Sequence, residues 1–275
     1  MINEALKALF EEEHIEKVAL LPFSLCRVTN ARLYEGRDFQ PQSAILFLIP
    51  YFTKQPDNFS VYAAAEDYHF YAQELYARLS EKLSTIYPNG HFLGFADHSP
   101  IDERDAAIRA GLGVFGKNRL RLSPEYGSYQ FIGEFLSTLP PEAFGDVKVS
   151  PFSFCIGCGA CLSACPTGVL RGESTECLSA ITQKKGELSE GEKALMREVG
   201  PAWGCDECQK VCPYTRQALF TGSAMTEIPF FKENLITHLD TKTVENRSDE
   251  VFSRRAVAWR GRKTVLRNTR ILEEE

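Results

Sequence analysis

The stretch that decides the interpretation of this 275-residue chain is Cys155-Ile-Gly-Cys158-Gly-Ala-Cys161-Leu-Ser-Ala-Cys165-Pro166. A second run follows downstream, Cys205-Asp-Glu-Cys208-Gln-Lys-Val-Cys212-Pro213, and Cys177 stands alone between the two. These residues account for eight of the nine cysteines. The ninth, Cys26, follows an apolar run and is interpreted as a small buried hydrophobic residue.

The spacing of the first run, C-x2-C-x2-C-x3-C-P, is that of iron–sulfur ligands in bacterial two-cluster ferredoxins, where the fourth cysteine ligates the other cluster. The second run has only the C-x2-C-x3-C-P part and is one ligand short, so Cys177 is needed to complete it. We assign cluster one to Cys155, Cys158, Cys161 and Cys212, and cluster two to Cys165, Cys177, Cys205 and Cys208. The sequence therefore predicts two [4Fe-4S] clusters and an electron-transfer role.

Zinc and disulfides are the alternatives to iron–sulfur. Structural zinc also takes pairs of C-x2-C ligands, but it does not require interlocked spacing or a proline after each closing cysteine. The chain opens on Met1-Ile-Asn-Glu without a signal peptide, which predicts a cytoplasmic protein with reduced thiols. We therefore favour iron–sulfur ligation over both.

The composition is that of an ordinary globular protein, with 44% apolar and 25% charged residues. No apolar run approaches the roughly 20 residues of a membrane span, so no membrane partner is expected. The net charge of −6 excludes a protein that coats nucleic acid generally, yet residues 254–270 carry seven basic side chains. This basic tail is either a solvated helix face or a surface that meets a polyanion such as RNA.

Hydrophobic periodicity predicts alternating strands and helices. Apolar runs predict buried strands at 18–23, 43–50 and 91–96, with further strands near 119–122 and 128–136 joined by a turn at 123–127. Helical spacing predicts helices over 1–13, 62–86 and 104–110. The fold class is thus α+β or α/β with a mixed sheet, followed by a ferredoxin-like double-cluster module. The predicted boundaries are 1–150 for the catalytic domain, 151–216 for the module and 217–275 for a partly helical, basic extension.

Ionisable residues are concentrated just after the predicted strand at 91–96. Asp97 lies at the strand's carboxyl end, where open α/β sheets bind ligands, and is a candidate general acid. Burial beside a bulky apolar cofactor would raise its pKa toward neutrality. The alternative is structural, because Asp before Ser-Pro is a frequent turn former.

The segment 111–116 contains G-x-G-x-x-G, but it follows a predicted helix and leads into a strand. A dinucleotide-binding loop has the opposite context. We interpret these glycines as backbone that closely approaches another group.

An ordered set of motifs resembles the epoxyqueuosine reductase family over residues 60–216. The set comprises Asp67-Tyr68-His69, Asp97-x-Ser99-Pro100-x-x-Glu103-Arg104, Ala110-Gly111-Leu112-Gly113-x-x-Gly116-Lys117-Asn118, Pro124-x-x-Gly127-Ser128, Gly133-Glu134, the eight cysteines, and Thr182-Gln183-x-Lys185-Gly186 after Cys177. The resemblance implies a cytoplasmic oxidoreductase with two [4Fe-4S] clusters and a cobalamin-binding domain similar to that of reductive dehalogenases. Its substrate would be epoxyqueuosine in tRNA, reduced to queuosine with two electrons and two protons while water leaves.

Carried onto this chain, the resemblance assigns roles to seven residues. Asp97 takes the place of the family's acid and would protonate the departing oxygen. The residues implied to contact cobalamin or substrate are Arg104, Lys117, Asn118, Ser128, Gln183 and Lys185. For Arg104 the structural alternative is an ion pair with Asp102 or Glu103. An external electron donor is also implied.

The chain departs from the family pattern in two places. Family members usually continue into helical repeats that help to hold tRNA, whereas this sequence ends at Glu275, and His98 stands where the family has a small or hydroxyl residue. Two alternatives therefore remain: a cobalamin and iron–sulfur reductase of a small molecule, and a ferredoxin-like electron carrier. Flavin is an alternative to cobalamin. If the basic tail forms a continuous positive surface, a tRNA substrate is favoured; if it packs elsewhere, a smaller one is.

Overall fold

The computed structural model describes residues 2–35 and 38–274, and the chain divides into two compact units. The first unit comprises residues 1–51 and 69–157, and the second comprises residues 52–68 and 158–275. This division differs from the three predicted segments in two respects. The cysteine module and the C-terminal extension fold as one unit, and a stretch from the N-terminal half joins them.

The first unit is built on a four-stranded sheet. Its strands are β1 (Val18–Pro22), β2 (Ser43–Pro50), β3 (Phe92–Phe95) and β6 (Gln130–Ser137), in the order β1-β2-β6-β3, and a separate two-stranded hairpin comprises β4 (Val114–Phe115) and β5 (Arg121–Leu122). Every paired strand runs antiparallel to its neighbour, so the sheet expected to be mixed is antiparallel and α+β describes this unit. All eight residues of β2 are buried, as the unbroken apolar run 43–50 predicts for a central strand.

The helices of the first unit are α1 (Glu4–Glu11), α2 (Tyr68–Ile86) and α3 (Glu103–Arg109), and short 3₁₀ turns occupy Phe23–Leu25, Ala31–Leu33 and Pro141–Phe144. Side-chain caps begin α1 and α3: Asn3 accepts from the Leu6 N–H and Asp102 from the Asp105 N–H. The buried face that helical apolar spacing predicted for α2 is confirmed, because Leu75, Leu79 and Leu83 are fully buried.

The second unit consists of short helices and turns. Its helices are α4 (Ala160–Ser163), α5 (Leu178–Thr182), α6 (Glu190–Val199), α7 (Glu207–Lys210), α8 (Pro213–Thr221), α9 (Thr241–Asn246), α10 (Asp249–Ser253) and α11 (Arg262–Glu273), with 3₁₀ turns at Val61–Ala63, Val169–Arg171, Pro229–Lys232 and Ala256–Arg260. Its largest core side chain is Trp203, which is fully buried and packs in one cluster with Phe59 and Val265. The C-terminal extension therefore contributes to the core of the unit that holds the cysteines.

Residues 52–68 belong to the second unit because polar contacts attach them to the second cysteine run. The Asp206 carboxylate accepts from the Ser60 hydroxyl at 2.5 Å and from the Val61 N–H at 2.7 Å. The Ser60 N–H donates to the Trp203 carbonyl at 2.8 Å. The predicted helix 62–86 begins only at Tyr68. Residues before Tyr68 bond elsewhere: the Asp67 N–H donates to the Arg254 carbonyl at 2.8 Å, and the Ala64 carbonyl accepts from the Ile236 N–H at 2.9 Å.

Gly133 of β6 lies directly under the ring of Phe47 in β2, and a Cβ added there would come within 2.2 Å of that ring. We expect Gly133→Ala to lower the free energy of unfolding by about 1–3 kcal/mol, because the ring is fully buried and cannot move aside without strain. Thermal unfolding of the anaerobic protein measures the loss. Gly191→Ala is the matched control: Gly191 lies in α6 with no atom within 4 Å of an added Cβ. Alanine there should stabilise by roughly 0.5–1 kcal/mol. Equal melting temperatures for the two variants would contradict the packing described.

Candidate functional site

Asp97 lies in a strained turn two residues beyond β3. Its backbone φ is +60°, and the His98 N–H donates to the Ala96 carbonyl at 2.7 Å, which closes a three-residue γ-turn. Turns of this hand are rare for residues other than glycine, and such strain is concentrated at functional sites. The Asp97 side chain is 56% exposed, and its Oδ2 lies 3.8 Å from Nε2 of His69. The turn thus presents a carboxylate outward.

The buried carboxyl beside Asp97 belongs to Glu103, the first residue of α3. Burial and, after it, the nearby charge of Asp97 raise the pKa of Glu103 to about 7, although a hydrogen bond from the Asp97 backbone N–H to the Glu103 carboxylate opposes the shift. Oε2 of Glu103 is shielded from solvent and has no hydrogen-bond partner among the residues that the structure describes. Asp97 therefore has a neighbour that changes charge near neutral pH.

A third carboxyl, Glu134 on β6, lies beneath this turn. It is 1% exposed and accepts a short hydrogen bond from the Ser99 hydroxyl. Burial raises the pKa of Glu134 well above its ordinary value, which favours the neutral form of this carboxyl. The Tyr76 hydroxyl in α2 donates to the Phe95 carbonyl at the end of β3. These buried contacts fix both sides of the Asp97 turn.

Three of the residues expected to contact the cofactor lie on α3 or in the loop that α3 contacts. Arg104 donates to the Arg119 carbonyl at 3.0 Å, which joins α3 to the loop that contains Lys117 and Asn118. The expected alternative was an ion pair of Arg104 with Asp102 or Glu103. Asp102 pairs with Arg27, whereas the charge of Arg104 acts on Glu103 and lowers the pKa of that carboxyl. Lys117 is exposed and its Nζ donates to the Gly157 carbonyl at 3.2 Å.

Asn118 is the member of this group whose environment indicates a ligand. It is 7% exposed, and its Oδ1 accepts from the Leu120 N–H at 3.3 Å. Its Nδ2 is buried without a hydrogen-bond partner in the described part of the chain. A Cβ on Gly116 would come within 2.2 Å of Asn118 Oδ1, so only glycine permits this packing. Ser128, the fourth expected contact in this unit, is 6% exposed.

The cysteines are divided between the two units. Cys155 lies in the first, where its N–H donates to the Phe115 carbonyl of β4 at 3.0 Å, and the unit boundary falls just before Cys158. No two of the nine cysteines, all of which lie within the described residues, are joined by a disulfide in the structure. Within the described residues, no three His, Cys, Asp or Glu side chains converge as a single-ion site requires.

In the second unit, α4 packs against α7 and thereby brings the two cysteine runs together. Cys161, Cys165 and Cys212 are buried. Cys177 and Cys212 each immediately precede a helix, α5 and α8 respectively, and Pro213 occupies the first turn of α8. The proline after this closing cysteine therefore begins a helix, as its fixed φ favours.

Electrostatic coupling among the thiols groups the predicted ligands of cluster two. Burial is the largest of the causes that raise the pKa of Cys205 to about 12. The nearby charge of Cys177 also raises this pKa, whereas a hydrogen bond from the Glu207 N–H lowers it. Burial also raises the pKa of Cys208, with contributions from Cys205 and Cys177. Thiols in such surroundings become thiolates when a metal displaces the proton. The isolated Cys177 is thus near the two cysteines with which the spacing pairs it.

Cys165 lies in a nest of hydrogen-bond donors. Burial alone would raise the pKa of its thiol, but the backbone N–H groups of Leu170, Gly168 and Thr167, together with the Thr167 hydroxyl, donate to the sulfur and lower the pKa overall. Such donors stabilise a thiolate and tune the potential of a cluster bound to it. The cradle fits a cluster ligand.

Gln183 and Lys185 follow α5 in the second unit. The Gln183 amide donates to the Ser179 carbonyl at 2.9 Å and is folded back onto α5, whereas Lys185 is exposed.

The basic tail packs into the second unit instead of forming a continuous positive surface. Three of its arginines pair with acidic residues: Arg254 with Glu66, Arg262 with Asp249 and Arg270 with Glu245. Two others contact backbone carbonyls: Arg255 that of Ala64, and Arg267 those of Lys184 and Gly186. At the surface, Arg260 stacks 3.7 Å from the ring centre of Trp259, which is 56% exposed.

Sequence reasoning missed Glu103 and Glu134 as members of the site. Both stand in the motifs that carry the family resemblance, yet no local pattern distinguishes a buried carboxyl from a solvated one. His69, also in a motif, was not assigned a role and approaches Asp97.

Comparison with known proteins supports the double-cluster module. Residues 154–215 match the family described as a 4Fe-4S double cluster binding domain. An epoxyqueuosine reductase of Listeria monocytogenes is 32% identical over 265 residues, which cover 89% of this chain and 67% of that protein. One from Bacillus subtilis is 31% identical over 271 residues, covering 94% of this chain and 66% of that protein. The chain therefore spans about two thirds of the length of these relatives.

Solved structures support the fold. That of an epoxyqueuosine reductase from Streptococcus thermophilus has a TM-score of 0.74 at 23% identity, over 97% of this chain and 79% of that one. An epoxyqueuosine reductase bound to a tRNA-Tyr stem loop carrying epoxyqueuosine has a TM-score of 0.76 at 22% identity, over 98% and 80% of the two chains. These likenesses confirm the predicted fold class. No helix among residues 2–35 and 38–274 is long and apolar enough to cross a bilayer.

Replacing Cys177 tests the ligand assignment. Cys177→Ala should remove one cluster and leave about four irons per chain instead of about eight, because a cubane that lacks its fourth thiolate is labile. Iron analysis of the anaerobically purified protein measures this, and Cys26→Ala is the control that should keep the full content. Undiminished iron in the Cys177 variant would show that the assignment is wrong.

The raised pKa of Glu103 predicts a pH-dependent stability. A carboxyl with a native pKa of about 7 and an ordinary value of 4.5 contributes stability that is fully present below pH 4.5 and is lost as the pH rises through 7. The Glu103→Gln side chain is neutral at every pH. The free energy of unfolding of this variant should therefore be close to that of the wild type at pH 5 and exceed it by roughly 3 kcal/mol at pH 8. Thermal unfolding at both pH values measures the difference. A pH dependence in Glu103→Gln equal to that of the wild type would contradict the burial described.

Proposed function

We propose, since the chain belongs to the epoxyqueuosine reductase family, that it reduces epoxyqueuosine to queuosine in tRNA with two [4Fe-4S] clusters and a cobalamin. The observation that carries the proposal is the arrangement at Asp97. A carboxyl held in a strained turn, exposed to ligand and backed by buried Glu103 and Glu134, suits a group that gives up one proton per turnover. A simple electron carrier has no need of it.

The reaction fixes what the residues must do. Both carbon–oxygen bonds of the epoxide break, a carbon–carbon double bond forms, and the oxygen leaves as water with two protons and two electrons. Asp97 would deliver a proton to the departing oxygen, for which it must come within hydrogen-bond reach. Glu103, whose pKa is about 7, can remain neutral beside a negatively charged Asp97 and so limit the build-up of charge.

The residues around the glycine loop fit a cobalamin. This cofactor has amide side chains, and the buried Asn118 Nδ2 is a donor without a partner among the described residues. Arg104, Lys117 and Ser128 would be its further contacts in the first unit, and Gln183 and Lys185 are proposed contacts from the second. When bound, the cobalamin supplies electrons to the substrate carbon. The protein's part is to hold it, to exclude water and to place Asp97.

The cysteines would pass electrons from an external donor in the cytoplasm. We propose cluster one on Cys155, Cys158, Cys161 and Cys212, and cluster two on Cys165, Cys177, Cys205 and Cys208. The electrostatic proximity of Cys177 to Cys205 and Cys208 supports the second set, and the hydrogen bonds to Cys165 support its role as a thiolate.

A second candidate function keeps the cofactors and changes the substrate to a small epoxide or organohalide. The basic tail favours it, because Arg254, Arg262 and Arg270 are paired with acidic residues of the same unit. For tRNA, the tail would contribute chiefly the exposed Trp259 with its stacked Arg260. Aromatic rings of this kind stack on bases, and arginines contact phosphates.

The proposal predicts that Asp97→Asn retains both clusters and the cofactor but turns over 10²–10⁴-fold more slowly, because an amide cannot donate the required proton. The assay incubates tRNA containing epoxyqueuosine with reduced, cobalamin-loaded protein and measures queuosine in the digested nucleosides. Asp57→Asn is the matched control, since Asp57 is also exposed and lies 3.6 Å from a histidine, His238, in the second unit.

Turnover of the Asp97 variant within about twofold of the wild type would remove Asp97 from the mechanism. A wild-type protein that turns over a small epoxide and not tRNA would favour the second candidate function.

A further inference from the structure

Asn268, in the middle of α11, is fully buried and has every polar atom of its side chain engaged. Its Nδ2 donates to the Thr182 carbonyl at 2.7 Å and to the Ala202 carbonyl at 2.8 Å. Its Oδ1 accepts from Nη2 of Arg267 at 2.7 Å. A buried amide saturated in this way holds its partners firmly, because breaking either bond leaves a carbonyl unsatisfied.

The two carbonyls belong to the segments that carry ligands of the second cluster. Thr182 is the last residue of α5, and Cys177 immediately precedes the first. Ala202 lies three residues before Cys205. A single side chain, distant in sequence from every cysteine, therefore bridges the segment of Cys177 to the segment of Cys205.

A second hydrogen bond joins the same segments directly. The Gly204 N–H, adjacent to Cys205, donates to Oγ1 of Thr182 at 3.0 Å. Thr182 is fully buried, and its hydroxyl donates in turn to the Ser179 carbonyl at 2.9 Å. The clamp thus has two parts, the Asn268 amide and the Thr182 hydroxyl.

Apolar packing supports the clamp. Ile271, one turn beyond Asn268, lies in a cluster with Leu178 and Ile181 of α5, and Cys205 packs against this cluster. The neighbouring Arg267 donates to the carbonyls of Lys184 and Gly186, which fixes the loop after α5. Helix α11 therefore holds α5 through both polar and apolar contacts.

Such a clamp answers a need that the cysteine spacing creates. Cys205 and Cys208 are fixed relative to one another by local chain geometry, whereas Cys177 is separated from both in sequence and is exposed. Helix α5 has only five residues, too few to be stable without tertiary contacts. The position of Cys177 must come from what holds α5.

We propose that Asn268 and Thr182 position Cys177 as the fourth ligand of the second cluster, so that the C-terminal helix takes part in assembling that cluster. The inference rests on the ligand assignment within the proposed function and is independent of the substrate. Asn268 and Thr182 act through Cys177 and are positioning residues.

The test compares variants by iron content and by the EPR signals of the reduced clusters after anaerobic purification. Asn268→Leu keeps the approximate volume of the side chain and removes both donors, and Thr182→Val removes the hydroxyl alone. Both should retain about four irons per chain instead of about eight, with the signal of the first cluster unchanged.

Two controls separate positioning from a general loss of folding. Thr269→Val alters the adjacent buried residue of α11, whose hydroxyl bonds that of Thr241 at 2.8 Å and, among the described residues, forms no hydrogen bond with either cysteine segment. Thr182→Ser keeps the hydroxyl. Both controls should hold about eight irons.

Full iron content and unchanged signals in Asn268→Leu and Thr182→Val would overturn the inference, and so would an equal loss in Thr269→Val. None of these measurements uses a substrate. If the variants show this pattern of iron loss but the wild-type protein is inactive on tRNA, the proposed substrate is contradicted and the inference stands.

Discussion

The structure depends on one requirement: each four-iron cluster needs four thiolates, and these come from residues far apart in the chain. In the assignment proposed above, spacing within a run places Cys205 and Cys208 together, and Cys177 completes the set from elsewhere in the chain. The chain meets this requirement with side chains remote in sequence. Asn268 joins the segments of Cys177 and Cys205, and Asp206 holds residues 52–68 against the second cysteine run. Much of the second unit is thus organised around a few hydrogen-bonded polar residues.

In the first unit, the corresponding constraint is the placement of one carboxyl among three. Glu134 is buried and its pKa is raised well above the ordinary value, Glu103 has a pKa of about 7, and Asp97 projects from a strained turn. The three environments differ because the carboxyls lie on different elements. Glu134 is on β6, an inner strand of the sheet, Glu103 begins α3 at the surface of the sheet, and Asp97 is in a turn that leads away from the sheet. A graded set of carboxyls allows one to be offered to a ligand while its neighbours contribute little negative charge.

Local patterns in the sequence were sufficient for much of this. The run 43–50, apolar after Ser43, predicted β2 to the residue, and the cysteine spacing predicted the double-cluster module that the family comparison confirms. Non-local contacts determined the rest. Helix α2 begins at Tyr68 and not at residue 62, because residues before it form hydrogen bonds with other segments of the second unit. Three arginines of the tail form ion pairs with Glu66, Glu245 and Asp249. The burial of Glu103 likewise depends on packing that no local motif encodes.

We expect this chain to carry two four-iron clusters that pass electrons to a bound cobalamin. Metal analysis of protein reconstituted anaerobically with iron, sulfide and cobalamin, then freed of unbound cofactor, tests it most directly. We expect about eight irons and about one cobalt per chain, with a cob(II)alamin EPR signal. Zinc in place of iron, or iron without retained cobalt, would contradict it.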